Sequence, residues 1–139
     1  MTFRTNAEQE TIVLGYALGK TLGKGAVVSL RGSLGVGKTV FAKGVARSLG
    51  IREAIVSPTF TLIQEYEGTL PLHHMDLYRI DGVEEFELIG GEEHLYGEGV
   101  TLIEWSEKIQ ELLPDETIYV TIALADDGSR EIRIEGSTL

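Results

Sequence analysis

The sequence contains no cysteine, and this absence excludes several kinds of chemistry. Without thiols the chain has no disulfide bond, no cysteine nucleophile and no cysteine-ligated metal. Long apolar runs are missing as well, so no segment has the pattern of a signal peptide or of a membrane span. We therefore expect a cytoplasmic protein with no membrane association.

Asparagine is almost absent, and basic residues are outnumbered by acidic ones. The single asparagine, Asn6, is followed by alanine, so the Asn-Lys-x-Asp sequence with which GTPases recognise guanine is missing. The formal net charge is −10, which repels a polyanion over most of the surface. These features argue against a GTPase and against a free-standing nucleic-acid-binding protein.

The charges are distributed unevenly along the chain. Residues 1–52 contain eight Lys or Arg and two acidic residues, a local charge of +6. Residues 76–116 contain thirteen acidic residues and two basic ones, a local charge of −11. The first region can attract phosphates, whereas the second is either a solvated acidic face or a docking surface for a basic partner.

The length and the hydrophobic pattern predict a single α/β domain over residues 1–139. A chain of 139 residues that is 42% hydrophobic can bury one sizeable core. Helical and strand periods alternate first, and paired strand patterns follow, which together predict a mixed sheet flanked by helices, with antiparallel strands added to a parallel core. The predicted helices cover residues 7–22, 83–89 and 106–113, with one more that carries Phe41, Val45 and Leu49 on one face and ends before Gly50. The predicted strands cover 26–30, 60–66, 70–78, 100–104, 117–125 and 130–135.

The most informative motif is GSLGVGKT, residues 32–39, which has the pattern G-x-x-x-x-G-K-[ST] between a predicted strand and a predicted helix. In that context the pattern is typical of a loop whose backbone N–H groups hold phosphates, although a plain glycine-rich turn is the alternative. Lys38 is expected to contact the β- and γ-phosphates, and the Thr39 hydroxyl is expected to bind Mg²⁺. The expected phosphate-binding residues are Gly35, Val36, Gly37, Lys38, Thr39 and Val40.

Two acidic residues are candidates to position the magnesium ion. Glu104 ends the apolar strand 100–104, the usual place for a carboxylate at the carboxyl edge of a central strand. Asp76 lies within the predicted strand 70–78, where an inward-facing acid is costly unless it is paired or near a cation. Arg79 is close enough in sequence to reach either Asp76 or a phosphate.

Several other residues have more than one interpretation. Trp105, the only tryptophan, is either core packing or a cover over a nucleotide. His73 and His74 face opposite sides if they lie in a strand, and without a spaced third ligand we do not predict a metal site there. Ser57 and Thr59 stand where a switch loop would sense a γ-phosphate.

Four segments in this order resemble the TsaE (YjeE) family, the small ATPases of bacterial threonylcarbamoyladenosine tRNA modification. The segments are GSLGVGKT at 32–39, SPTFTL at 57–62, HMDLYR at 74–79 and LIEWSEK at 102–108. The resemblance covers nearly the whole chain. Two positions depart from the family pattern: Val36 stands where small residues are commoner, and Ser106 stands where proline is frequent.

The resemblance implies a P-loop NTPase-like fold, binding of ATP or ADP with Mg²⁺, and work in a complex with the TsaB and TsaD proteins. In this family's pathway TsaD with TsaB transfers the threonylcarbamoyl group to tRNA, and TsaE hydrolyses ATP to sustain that cycle. Direct contact of this chain with tRNA is then expected to be absent or peripheral.

The same resemblance assigns roles to individual residues. Lys38 and Thr39 serve the phosphates and Mg²⁺, Glu104 is a metal ligand, and Asp76 supports the metal or the attacking water. Further residues are expected at the nucleotide: Trp105, Glu8, Thr11 and Arg130.

Two other functions share the phosphate-binding motif. A small-molecule kinase needs a lid and an acceptor pocket, for which 139 residues leave little room. A nucleotide-dependent binding or regulatory subunit, in which hydrolysis is incidental and ATP sets a docking conformation, fits the acidic middle segment well.

Overall fold

A computed structural model, which describes residues 1–33 and 35–139, has a seven-stranded mixed sheet with helices on both faces. The strands are β1 (Thr2–Thr5), β2 (Val27–Arg31), β3 (Ile63–Tyr66), β4 (Leu72–Asp76), β5 (Val100–Glu104), β6 (Ile118–Leu124) and β7 (Arg130–Glu135). The helices are α1 (Glu8–Gly19), α2 (Lys38–Ser48), α3 (Val83–Leu88) and α4 (Gly91–Leu95), with a 3₁₀ helix at Ser106–Leu112. Leu34, within the glycine-rich motif, lies outside the described residues.

The sheet has a parallel centre and antiparallel edges. Its strand order is β1-β7-β6-β2-β5-β4-β3, in which β6, β2, β5 and β4 run parallel to one another. The pairs β1–β7, β6–β7 and β3–β4 are antiparallel. The predicted mixed α/β fold is therefore confirmed.

The register aligns the carboxyl ends of three neighbouring strands, β2, β5 and β4, side by side. Leu30 of β2 pairs with Glu104 of β5, and Glu104 pairs with Asp76 of β4. In parallel sheets the carboxyl ends of the strands form the usual binding edge. The end of β2, where the glycine-rich motif begins, therefore lies beside both candidate acids.

Alternation along the strands divides the core between the two faces of the sheet. Val28 and Leu30 pack with α1 and α2 in one cluster, which also contains Phe41. Val27 and Ile103 point to the opposite face and join a cluster under α3, α4 and the 3₁₀ helix. Because both faces are covered, β2 and β5 are buried along almost their whole length.

Helices α1 and α2 approach each other at two glycines. A Cβ atom placed on Gly44 would lie 2.2 Å from the carbonyl oxygen of Ile12, and one placed on Gly15 would lie 2.4 Å from that of Phe41. Such distances are far inside van der Waals contact, so only glycine permits this approach. The close packing holds the first turn of α1 beside the loop that precedes α2.

We expect Gly44→Ala to lower the free energy of unfolding by about 1–3 kcal/mol, because backbone atoms of α1 must move to admit the methyl group. Urea unfolding would measure the change as a lower midpoint at an unchanged slope. Gly23→Ala is the matched control, since a Cβ there meets nothing within 4 Å and the change should be nearly neutral. Equal midpoints for wild type and Gly44→Ala would contradict this account of the packing.

Several predicted boundaries were wrong. Residues 60–62 are not part of β3: the carbonyl oxygen of Leu62 still accepts a 2.9 Å hydrogen bond from the N–H of Asp76, but Leu62 adopts φ 67°, which turns the chain away from β4, and Phe60 is 82% exposed. The predicted strand 70–78 is shortened to Leu72–Asp76, and the predicted helix 106–113 is a 3₁₀ helix. Strand β1 and helix α4 were not predicted.

The hairpin formed by β6 and β7 confirms the prediction for the C-terminal region, where the turn falls at residues 125–129. Among the helices of the described ranges, none combines the length and the apolar character that crossing a membrane requires.

Candidate nucleotide site

The loop between β2 and α2 is shaped by glycines in backbone conformations that other residues rarely adopt. Gly32, Gly35 and Gly37 have φ values of 148°, 79° and 114°. A Cβ on Gly32 would also lie 2.5 Å from the carbonyl oxygen of Ile122. Gly37 stands immediately before α2, so the loop delivers the chain to a helix N-terminus, whose free N–H groups and dipole favour an anion.

A cleft of about 640 Å³ opens beside this loop, and we call it the inner cleft. It lies at the carboxyl ends of β4 and β5, and its walls carry most of the residues that the sequence singled out. The residues that line it are Gly35, Gly37, Lys38, Thr39, Val40, Ser57, Thr59, Asp76, Tyr78, Glu104 and Trp105.

Glu104 forms a buried charged cluster with Lys38 and His74. Its Oε1 atom lies 3.3 Å from Nζ of Lys38, and its Oε2 atom accepts a 2.9 Å hydrogen bond from Nε2 of His74. All three side chains are buried; Glu104 is only 4% exposed. The two neighbours thus hold both carboxylate oxygens in a fixed orientation at the base of the inner cleft.

The charge on Glu104 is maintained against its burial. Burial raises the pKa of Glu104, but the hydrogen bond and charge of His74, together with Lys38, outweigh it and hold that pKa below its ordinary value. Glu104 is therefore an anion at neutral pH, and it lines the same cleft as Lys38 and Thr39, where it could contact a cation bound to a phosphate.

Asp76 is connected to the segment that contains Ser57 and Thr59. Its Oδ2 atom accepts a 3.1 Å hydrogen bond from the Thr59 hydroxyl, and its Oδ1 atom accepts one of 2.9 Å from the backbone N–H of Tyr78. The hydroxyls of Ser57 and Thr59 are 2.8 Å apart. A change at Asp76 can therefore reach the 57–59 segment through a single hydrogen bond, as a switch loop requires.

Trp105 lies at the mouth of the inner cleft and is not core packing. It has φ 61°, an unusual value for a large side chain, and is 38% exposed. Its ring is 5.9 Å from Nζ of Lys38 and 5.1 Å, between centroids, from the ring of Tyr78. The left-handed backbone turns the indole toward the cleft directly after Glu104, and the next residue, Ser106, is buried against the hydroxyl of Ser29.

A second cleft of about 330 Å³, the outer cleft, adjoins the first and shares Gly35, Gly37 and Val40 with it. Arg130 closes one side: its Nε donates a 2.8 Å hydrogen bond to the carbonyl oxygen of Val36. The outer cleft is lined by Thr5, Asn6, Ala7, Glu8, Thr11, Gly35, Val36, Gly37, Val40, Gly128 and Arg130.

With the exception of Arg79, the residues that the sequence placed at the nucleotide line one or other of the two clefts. Lys38, Thr39, Asp76, Glu104 and Trp105 meet in the inner cleft, and Glu8, Thr11, Val36 and Arg130 meet in the outer one. The glycine-rich loop separates them. Arg79 is the exception, since its guanidinium lies 5.2 Å from the ring centre of Phe60, while Asp76 takes its hydrogen bonds from Thr59 and Tyr78.

The oxygen donors of the inner cleft fit a magnesium ion. Thr39 supplies a hydroxyl, and Asp76 and Glu104 supply carboxylates, all at one end of an open cleft. Mg²⁺ prefers such oxygen ligands and retains several waters. Because Lys38 and His74 hold both oxygens of Glu104, the orientation of this carboxylate would already be set when an ion bound in the cleft.

Comparison with known proteins identifies the family. The family model described as "Threonylcarbamoyl adenosine biosynthesis protein TsaE" matches residues 5–132. This chain belongs to the TsaE family. The tRNA threonylcarbamoyladenosine biosynthesis protein TsaE of Treponema pallidum (strain Nichols) is 45% identical to it over 130 residues, which cover 94% of this chain and 96% of that protein.

Further members of the TsaE family agree with this assignment. The TsaE protein of Bacillus subtilis (strain 168) is 44% identical over 133 residues, covering 95% of this chain and 83% of that protein. The crystal structure of Bacillus subtilis YdiB superposes with a TM-score of 0.80 at 40% identity, covering 95% of this chain and 82% of the other. The chain is therefore a TsaE homologue in sequence and in fold, related to proteins named for tRNA threonylcarbamoyladenosine biosynthesis.

The roles of two residues at the candidate site of this TsaE-family chain were not predicted from the sequence. His74 was considered only as a metal ligand, yet it is fully buried and holds Glu104. Tyr78 lines the cleft and packs beside Trp105. A signal for His74 was available, because an imidazole two residues before a strand-end acid, on the same face, can reach an acid on the adjacent strand.

Proposed function

We propose that this chain is the Mg²⁺-dependent, ATP-hydrolysing component of tRNA threonylcarbamoyladenosine modification and acts with TsaB and TsaD proteins. The observation that carries the proposal is the pair of adjoining clefts around one glycine-rich loop. One cleft offers a cation, a hydroxyl and two carboxylates, and the other offers space for the rest of a nucleotide. Membership of the TsaE family supplies the pathway.

The proposed division of labour follows from the positions of the side chains. The N-terminus of α2 and Lys38 would hold the phosphates, and the Thr39 hydroxyl and the Glu104 carboxylate would hold the metal ion. When bound, Mg²⁺ neutralises charge on the β- and γ-phosphates. Asp76 lies where it can orient the attacking water, and the 57–59 segment that it contacts can respond to the γ-phosphate.

The outer cleft suits the ribose and base of the same nucleotide. The outer cleft lies on the other side of the glycine-rich loop from the inner cleft. The close packing of α1 on α2 places Glu8 and Thr11 along its wall. The buried hydroxyl of Thr11 lies 2.7 Å from that of Thr5, so strand β1 helps to fix that wall. Trp105 covers the phosphate side of the site rather than its base side.

We expect the isolated chain to hydrolyse ATP slowly. Among the described residues that line the inner cleft, Lys38 is the only cationic one, and Arg130 is engaged with the loop carbonyl of Val36. An arginine supplied to the γ-phosphate is typically worth about 10³–10⁵ in rate. A partner that provides or orders such a cation would therefore accelerate turnover.

The alternative of a nucleotide-dependent binding subunit has an observation in its favour. The acidic segment around α3 carries exposed apolar side chains, with Leu88 85% exposed and Ile89 36% exposed. An apolar centre with a charged surround is typical of a protein-docking surface. In this alternative, ATP sets the docking state and hydrolysis is incidental. The kinase alternative gains no comparable support from the described part of the chain.

One experiment tests the proposal and its main alternative together. ATP turnover of the chain should be weak alone and should rise when purified TsaB and TsaD proteins are added at low salt, with the rise reduced as salt is added. Emission of Trp105, the only tryptophan of the chain, should report nucleotide binding. Fast turnover alone that partners leave unchanged would contradict partner activation.

The binding-subunit alternative predicts a different result in a hydrolysis-deficient variant. Glu104→Gln should still be captured by the TsaB and TsaD proteins if ATP binding alone sets docking, and threonylcarbamoyl transfer should then continue. Loss of sustained transfer with docking intact would favour the ATPase function.

We place this activity in the cytoplasm, where ATP and the tRNA substrate are both available.

A further inference from the structure

A second cluster of ionisable side chains lies away from both clefts and consists of Glu65, His73 and His94. His73 and His74 are adjacent on β4, so their side chains point to opposite faces of the sheet. His74 lies on the same face of the sheet as Glu104 and holds it, whereas His73 faces the side covered by α4. The cluster is therefore separated from the nucleotide site by the sheet.

The three ligand atoms of this cluster lie close together. Oε1 of Glu65 is 3.3 Å from Nδ1 of His73 and 3.5 Å from Nε2 of His94, and all three atoms lie within 4.8 Å of one another. In a tetrahedral site with bonds of about 2.0–2.1 Å, neighbouring ligand atoms are about 3.3 Å apart. Two of the three separations already match that spacing.

The Nδ1 atom of His73 is buried and has no hydrogen-bond partner within the described ranges, although Glu65 is at ion-pair distance. A buried polar atom without a partner is uncommon in folded proteins and calls for an explanation. A cation among the three side chains would supply one, since it would accept the lone pair of Nδ1 directly.

The fold positions each of the three side chains. Glu65 of β3 is the register partner of His73 on β4, so the two stand side by side on one face. Thr101, the partner of His73 on β5, donates a 3.1 Å hydrogen bond to the carbonyl oxygen of His94 and so ties α4 to the sheet. At Gly99 a Cβ would lie 2.9 Å from Nε2 of His73, so glycine makes room for this ring.

We propose that Glu65, His73 and His94 form a binding site for a divalent transition-metal ion of the zinc class, which clips the β3–β4 hairpin to α4. Two imidazoles and a carboxylate are a donor set that suits Zn²⁺ and its neighbours rather than Mg²⁺ or Ca²⁺. The side chain of Glu65 is 59% exposed, so the site is open to solvent and water can take the fourth coordination position of a tetrahedral ion. Glu65 and His94 are the additional candidate ligands that the sequence around the adjacent histidines did not reveal.

The test is a titration of the metal-free full-length chain with Zn²⁺ by calorimetry, and with Co²⁺ by visible absorption, both without nucleotide. We expect one Zn²⁺ per chain, a tetrahedral-type Co²⁺ spectrum and a higher melting temperature with Zn²⁺. Glu65→Gln and His94→Asn should each weaken binding by roughly ten- to hundredfold or more, since loss of an outer partner alone costs that much. Glu65 is exposed, so Glu65→Gln should fold normally.

Two control variants locate the binding. Glu98→Gln removes an exposed acid, paired with Lys24, that is not part of the cluster, and Thr39→Ala alters the inner cleft; both should bind Zn²⁺ as the unmodified chain does. Absence of stoichiometric binding, unchanged affinity in Glu65→Gln and His94→Asn, or loss of binding in Thr39→Ala would each overturn the proposal.

Discussion

Lys38→Ala is expected to reduce ATP turnover by at least about a hundredfold and to weaken ATP binding, because it removes the only cation that lines the inner cleft within the described residues. Lys38 is 9% exposed and lies 3.3 Å from Glu104, so its ammonium group is already held where phosphate oxygens would meet it. Calorimetry with ATP and a steady-state phosphate-release assay would measure the two effects.

The control for this prediction is Lys43→Ala, which removes a lysine from the same helix at a position that lines neither cleft. The hydrogen bond from His74 still holds Glu104 after the substitution, so Lys38→Ala should remain folded, which thermal unfolding would verify. A folded Lys38→Ala protein with unchanged ATP affinity and unchanged turnover would refute the phosphate-binding role of the loop.

Glu104→Gln is expected to keep part of the nucleotide affinity and to lose most hydrolysis, about a hundredfold or more. The amide preserves the shape of the carboxylate but removes the charge that positions the metal ion. Asp76→Asn is also expected to slow hydrolysis, but mainly because the attacking water is less well oriented rather than because the metal ion binds less well. Turnover measured across a range of Mg²⁺ concentrations would separate the two, since only the Glu104 variant should need more metal.

Glu107→Gln is the matched control for these variants, because Glu107 is an exposed acid three residues beyond Glu104. Normal turnover in Glu104→Gln together with an inactive Asp76→Asn would reassign the metal role to Asp76. Normal turnover in both Glu104→Gln and Asp76→Asn would show that neither carboxylate is needed for hydrolysis.

The strand that ends on Glu104 and the glycine-rich loop were predictable because their signals are local. The apolar run before Glu104 indicates a buried strand, and the spacing of Gly32, Gly37 and Lys38 constrains the backbone within eight residues. The placement of Glu8 and Arg130 was predictable only through resemblance to a family. No local pattern connects residues at opposite ends of the chain.

Elements whose stability comes from distant partners were missed or misplaced. Strand β1 has four residues and exists because β7, at the other end of the chain, pairs with it. Phe60 and its neighbours have the composition of a strand, but the N–H of Leu62 donates to the carbonyl oxygen of Pro58 in a local turn, and the ladder with β4 begins only at Ile63. Helix α4 is five residues long, too short for helical periodicity to be visible.

Local residue patterns were thus sufficient for the α/β class, the loop and the two candidate acids, because each depends on neighbours within a few positions. Packing in three dimensions was needed to join His74 to Glu104 across β4 and β5, and to bring Glu65, His73 and His94 together on the other face. The first contact and the pairing of Glu65 with His73 depend on strand register, and His94 joins them through the packing of α4 on the sheet; register is set by the burial of whole faces and cannot be read from any one segment.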